Sequence, residues 1–213
     1  MHPTHVQSSP VKNEVPFLTN SNLDCGPVAL AMTCAFFGLQ VPQPRIQELV
    51  VAETSGATWT LGLAAAAAEL GLSVRMYSKN FGVSAANFNL EYYRQHASGL
   101  SEAQQKLATL ASRCKSHGGF LEERSLSLAE LQRAVTQGSV PILLLDWSKV
   151  IDQPSYIGHF VPMVGHTNTE VLVHNPGPRD AAAFQPLRNE IFEIARTAPG
   201  TDEDVLIITG LRT

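Results

Sequence analysis

The chain has 213 residues, 44% hydrophobic and 16% charged, with a formal net charge of -4 and 15 lysines plus arginines. That length supports one well-filled core, and the sparse positive charge excludes a basic stripe of the kind that grips nucleic acid or an anionic membrane surface. The longest apolar run, "LGLAAAAAELGL", is interrupted by Glu69 and too short for a bilayer span, and the opening "MHPTHVQSSPVKNEV" has no apolar signal-peptide core.

Residues 1–14 read as a loose polar tail and 15–213 as a single domain. From Cys25 to Phe37 the side chains are apolar nearly all round, the mark of a buried helix, with Gly38 placed as its C-terminal stop. Further helices are expected over Pro44–Ala52 and Leu61–Leu70. "GLSVRMYS" then reads as a strand, and 84–117 as polar helices. "SLSLAELQRAV" (125–135) is a helix with Ser127 and Glu130 in capping-box positions. After Gly138 the character changes: "VPILLLDW", "GHFVPMVGH", "TEVLVHNPG" and "DVLIITG" are short β-type runs separated by turn residues. Helices first and strands afterwards predict an α+β fold. A helical lobe over about 15–137 would pack on a mainly antiparallel sheet over about 138–213.

The three cysteines, Cys25, Cys34 and Cys114, share no metal-ligand spacing and cannot all pair within one chain. That usage suits a reducing compartment, so a cytoplasmic protein without disulfides is expected. Cys25 follows Asp24 at a helix start, where free backbone N–H groups and the helix dipole favour thiolate. Pro27 costs nothing in a first turn, and Gly26 leaves room for a substrate. Cys34, on the opposite side of the helix, reads as a small core residue.

A nucleophilic cysteine needs a base. His2, His5, His96 and His117 lie in polar stretches and read as surface. His159 begins an apolar strand and is the polar side chain of "GHFVPMVG". His166, seven residues on, faces the other way in a regular strand. His174 and Asn175 are adjacent at a strand end and point to opposite faces, so one of them can look towards His159. Local sequence alone favours reading Asn175 as an ordinary turn residue before Pro176. The rival constellation, a metal held by His159, His166 and His174, lacks HExxH and CxxC spacing, and no metal or other cofactor is expected. "TDED" (201–204) has no EF-hand pattern and reads as a solvated turn.

Cysteine on a first helix, followed by histidine and Asn or Asp on later strands, is the order of papain-like enzymes. "DCGPVALAMTCAFFG" and "GHFVPMVGHTNTEVLVHNPG" resemble the nucleophile and histidine segments of bacteriocin-processing peptidases. "TWTLGLAAAAAELGLSVRMYSKNFGV", "EYYRQHASGL", "RSLSLAELQRAVTQGSVPILLLD" and "FEIARTAPGTDEDVLII" resemble the family named for soluble plant and animal guanylyl cyclases, a peptidase-like fold. The resemblance spans 15–210. It implies a papain-like fold with Cys25 as nucleophile, His159 as base and Asn175 as the residue orienting it. The family's glutamine six residues before the cysteine, which donates to the oxyanion, is replaced by Thr19, with Asn20 or Asn22 as substitutes from a shifted loop. Cyclising a nucleoside triphosphate needs metal-held carboxylates and cations on the phosphates. Neither is recognisable here, so the expected activity is a cysteine peptidase or amidase working through an acyl-enzyme on a peptide or small acyl substrate. Acyl transfer to an amine and a non-catalytic binding module are the alternatives. The sequence leaves the oligomeric state open.

Overall fold

The structure is a computed structural model that describes residues 10–20 and 24–212. His2, His5 and Asn22 therefore lie outside the described residues. In chain order the elements are β1 (Val11–Lys12), α1 (Cys25–Phe36), α2 (Gln43–Val50), α3 (Thr60–Glu69) and β2 (Leu72–Ser78). Next come α4 (Glu91–His96), α5 (Leu100–Ser116), β3 (Phe120–Glu123), α6 (Leu128–Thr136) and β4 (Val140–Asp146). The chain finishes with β5 (Gly158–His166), β6 (Glu170–Asn175), β7 (Ala182–Arg188), α7 (Asn189–Arg196) and β8 (Val205–Leu211).

The strands form one sheet in the order β3-β2-β8-β4-β5-β6-β7, with β1 pairing on β5. Only the β2–β3 pair is parallel among the described pairings. The fold is thus α+β with a mainly antiparallel sheet, as expected. The sheet draws strands from both sides of Gly138, because β8 returns the end of the chain to pair with β2. Residues 10–14 are not loose: β1 pairs with β5, Asn13 donates its backbone N–H to Val164 O, and its side-chain amide reaches Val135 O and Ser139 O.

Period-two alternation along the strands gives the sheet two buried faces. Val74, Met76, Ile142, Phe160, Val164 and Leu206 face the core built with α1, α3 and α5. Tyr77, Leu143, Leu145, Val161, Met163 and Val205 face a second core with α6 and α7. Helix α1 is buried because its residues leave no polar face to solvate, and Cys34 lies fully inside it. Gly38 (φ +79°) ends it in the left-handed conformation that glycine adopts without a Cβ clash. The expected capping box of α6 is present, with Ser127 Oγ accepting from the Glu130 backbone and the Glu130 carboxylate accepting from the Ser127 backbone.

Candidate active site

Cys25 opens α1, and Asp24 occupies the N-cap position without capping through its side chain. Its Oδ2 instead accepts from Gln43 Nε2 (2.7 Å) and Gln47 Nε2 (3.3 Å) on α2, which fastens the start of α1 to its neighbour. Across from it runs β5. Phe160 donates its backbone N–H to Cys25 Sγ at 3.4 Å. Gly26 makes that approach possible: a Cβ there would stand 3.1 Å from a Phe160 ring carbon and 3.2 Å from a Leu63 methyl. The expectation that Gly26 leaves space for substrate therefore needs correcting. The missing side chain lets α1 pack on β5 and α3, although the residue also borders the cleft.

His159 precedes Phe160 and is 7% exposed, its ring lying against Trp147 at 4.8 Å between centroids. Its Nε2 lies 3.0 Å from Asn175 Oδ1 at the end of β6. The orientation of that amide is fixed by its other partners, since Oδ1 also accepts from Gly177 N (3.1 Å) and Nδ2 donates to Asp180 O (2.9 Å). Oδ1 can only accept, so Nε2 carries the proton and Nδ1 is the basic nitrogen of the ring. Asn175 is thus a turn residue and the imidazole's partner at once. One side chain pins both the loop after β6 and the tautomer.

Cys25 and His159 line one cleft with Asn20, Tyr92, Gly177 and Pro178. Asn20 is brought there by its backbone, whose N–H donates to Pro176 O at 2.8 Å. Both amide atoms of Asn20 are buried without a hydrogen-bond partner. An unpaired buried amide is costly to keep, on the order of 1–3 kcal/mol. Thr19 is exposed and is not among the residues lining the cleft.

Burial shifts both the Cys25 thiol and the His159 imidazole. It pushes the Cys25 thiol up to about 11, outweighing the N–H groups of Phe160, Gly26 and Cys25, which pull it down; the Asp24 charge adds to the rise. Burial likewise pushes His159 down to about 4, against the hydrogen bond to Asn175. Both shifts oppose the thiolate expected at the helix start and favour thiol with neutral imidazole. The helix start supplies N–H groups but too little to offset a dry site.

The other histidines separate cleanly. His174 is fully buried, with Nε2 donating to Val15 O (2.8 Å) and Nδ1 accepting from Phe184 N (3.0 Å), so both nitrogens hold backbone. His166 contacts Thr136 Oγ1 on α6 at 3.0 Å. It does not face away from His159 as a regular strand would require. A bulge between Met163 and Gly165 shifts the register, so that Met163 opposes Val173 and His166 opposes Val171, both on the second core's face. Seven residues still separate the two rings by roughly 20 Å along the strand. Among the described residues no group of three His, Cys, Asp or Glu side chains is placed to hold a metal ion.

Two readings of surface were wrong. His96 lines a second pocket and stacks on Tyr92 at 4.6 Å, and its Nδ1 is closed off from water. "TDED" is not a solvated turn: Thr201 and Glu203 are buried, while Asp202 and Asp204 border the same pocket. The polar string hid this because the partners that bury its acids, among them Arg196 and Asn87, lie elsewhere in the chain.

A family model described as "Guanylylate cyclase" matches residues 16–208. The chain belongs to that family. A curated relative, Guanylyl cyclase 1 of Arabidopsis thaliana, is 22% identical over 201 residues, covering 87% of this chain and 71% of the relative. Among solved structures, a putative C39-like peptidase from Bacillus anthracis aligns at TM-score 0.55 and 14% identity, covering 97% of this chain and all of that one (100%). A double glycine motif protease from an AMS/PCAT transporter, solved with its leader peptide, aligns at TM-score 0.52 and 16% identity over 95% of this chain and 99% of that one. The chain therefore has the papain-like peptidase fold. No helix among the described residues is long and apolar enough to cross a membrane.

Proposed function

We propose that this member of the family is a cysteine-dependent hydrolase of amide or thioester bonds, with Cys25 as nucleophile, His159 as general base and acid, and Asn175 orienting His159. The observation that carries the reading is the shared cleft. The thiol meets the backbone of Phe160, the imidazole is the preceding residue, and its proton-bearing nitrogen is committed to Asn175. Papain-like architecture, with a peptide-bound protease among the structures it resembles, favours a peptide substrate.

Because the thiol rests protonated, attack and proton transfer go together. The Cys25 S–H proton passes to His159 Nδ1 as sulfur bonds to the carbonyl carbon, and the oxygen takes the negative charge. The Asn20 amide and the first-turn N–H groups of α1 receive that oxyanion. The carbon–nitrogen bond then breaks, and the leaving amine takes the proton from His159. Water repeats the sequence on the thioester: His159 accepts its proton, the acid is released, and the proton returns to sulfur. General base catalysis contributes about 100- to 10,000-fold, and one oxyanion donor about 100- to 1000-fold.

Cyclase chemistry, carried by the family's name, calls for cations against triphosphate oxygens. The residues bordering the Cys25 cleft include Asn, His, Tyr and Thr, and neither lysine nor arginine among those described. The test is product analysis on peptide amides and acyl thioesters with wild-type and Cys25→Ala protein, with and without added amine. Carboxylic acid released only by the wild type supports hydrolysis, and a new amide formed with the amine shows acyl transfer. GTP turnover that survives Cys25→Ala would overturn the reading.

A further inference from the structure

Next to the Cys25 cleft lies a second, partly open pocket lined by Trp59, Tyr92, Tyr93, Tyr156 and Asp204. The two share Ala57, Thr58, Tyr92 and Phe160 as common wall, so they form one groove. Phe160 is also the residue whose N–H holds the nucleophile, which puts the cavity one residue's breadth from the reacting bond.

The walls are aromatic. Trp59 lies 5.8 Å from Tyr93, and Tyr156 lies 5.4 Å from Tyr92 and 6.1 Å from Tyr93. Both Tyr93 and Tyr156 donate their hydroxyls to Gly200 O, at 2.6 and 3.0 Å, so their polar ends are already satisfied. Rings offered in this way suit a cation or an apolar stem.

The acids in the lining differ in kind. Glu53 is saturated, with Lys106 Nζ at 2.9 Å and Trp59 Nε1 at 2.6 Å. Asp202 accepts from Asn87 Nδ2 at 3.2 Å. Asp204 has no cation beside it among the described residues, and its Oδ1 is closed off from water with no hydrogen-bond partner. Thr60 is 2% exposed, and its hydroxyl, with that of Ser78, is turned to the Asp204 carboxyl. Two neutral hydroxyls do not balance a charge, and a carboxylate needs a cation when it is buried. Burial pushes the Asp204 carboxyl up to about 7, with the Ser78 and Thr60 hydroxyls drawing it back and Asp202 adding to the rise. An arriving ammonium would restore its charge.

We propose that this cavity is a specificity subsite that takes a cationic side chain of the substrate, lysine or arginine, with its stem between the tyrosine and tryptophan rings and its head on Asp204. The inference rests on the hydrolase reading and gives that site its substrate class: a basic peptide segment.

The test uses short peptides that end in a thiol-reactive electrophile and carry lysine, arginine, norleucine or glutamate at each of the three preceding residues. At one of those positions, lysine or arginine should label wild-type Cys25 at least tenfold faster than norleucine, with glutamate slowest. Binding of the same sequences without electrophile to Cys25→Ala protein should show the same order, read by tryptophan fluorescence. In Asp204→Asn protein the lysine-to-norleucine ratio should fall towards one. If that variant fails to fold, the wild-type order decides alone. Equal rates and equal binding for all four would overturn the subsite. Basic peptides bound preferentially by Cys25→Ala, with no labelling of wild-type Cys25, would instead keep the subsite and overturn the nucleophile.

Discussion

Phe160 donates its backbone N–H to the sulfur of Cys25, and its chain neighbour His159 supplies the imidazole. Nucleophile and base are thus registered to each other through one strand, β5, packed on one helix start. Gly26 sets the separation. Gly26→Ala should force α1 away from Phe160 and Leu63, with overpacking of this kind costing about 1–3 kcal/mol. Thermal unfolding should show the loss of stability, and activity should fall further than Gly38→Ala makes it fall, since the left-handed strain of an alanine at Gly38 (φ +79°) acts at the far end of α1 from Cys25.

The thiol's pKa gives a pH profile with a definite sign. Alkylation needs thiolate, and burial raises Cys25 to about 11. The iodoacetamide rate at Cys25 should therefore be low at pH 6 and keep climbing well above pH 8. Cys34 and Cys114 are fully buried and should stay unlabelled until the protein unfolds. Cys25 is then the reactive cysteine through access rather than acidity. A rate that levels off by pH 7 would mean that His159 holds an ion pair in the resting protein.

The oxyanion role separates Asn20 from Thr19. Asn20→Ala should lower kcat by about 100- to 1000-fold with little change in KM, because the donor acts on charge that develops in the transition state. It should not lower thermal stability, because it removes a buried amide that has no partner. Thr19→Ala should be silent in both assays. Loss of stability with unchanged kcat would reduce Asn20 to a packing residue.

Asn175 and His174 sit side by side and should fail in different ways. His174→Ala strands Val15 O and Phe184 N, so it should cost roughly 2–4 kcal/mol of stability while the remaining folded protein keeps its kcat. Asn175→Ala frees the His159 ring and should reduce kcat by about tenfold or more. Asn175→Asp, which keeps an acceptor on Nε2, should recover much of it. Matching kcat losses in both variants would mean that the turn, not the tautomer, matters.

What was legible in the sequence was local. The all-round apolar α1, the Ser127–Glu130 capping box and the order cysteine, histidine, asparagine each depend on residues near one another in the chain. What was missed depends on partners elsewhere. β7 contains Pro186 and a left-handed Phe184 (φ +49°), which reads as loop; it pairs because it is the outer strand next to β6, where a missing donor is tolerated. α7 is short, and its buried Arg196 makes sense only with Glu193 and Glu203 around it. The direction of His166 turned on a bulge no periodicity announces. Asp204 looked like one of three exposed acids until β8 placed it under the tyrosines.

The central claim is that Cys25 carries the acyl group during turnover. Rapid-quench intact-protein mass spectrometry with an activated acyl thioester tests it most directly. Wild-type protein should gain one acyl mass, mapped to Cys25, within the first turnover and lose it as the acid appears. His159→Ala should form that adduct at least 100-fold more slowly, in line with the loss of a general base. Product formation at an unchanged rate by Cys25→Ala, or turnover by wild type with no adduct at Cys25, would contradict the account.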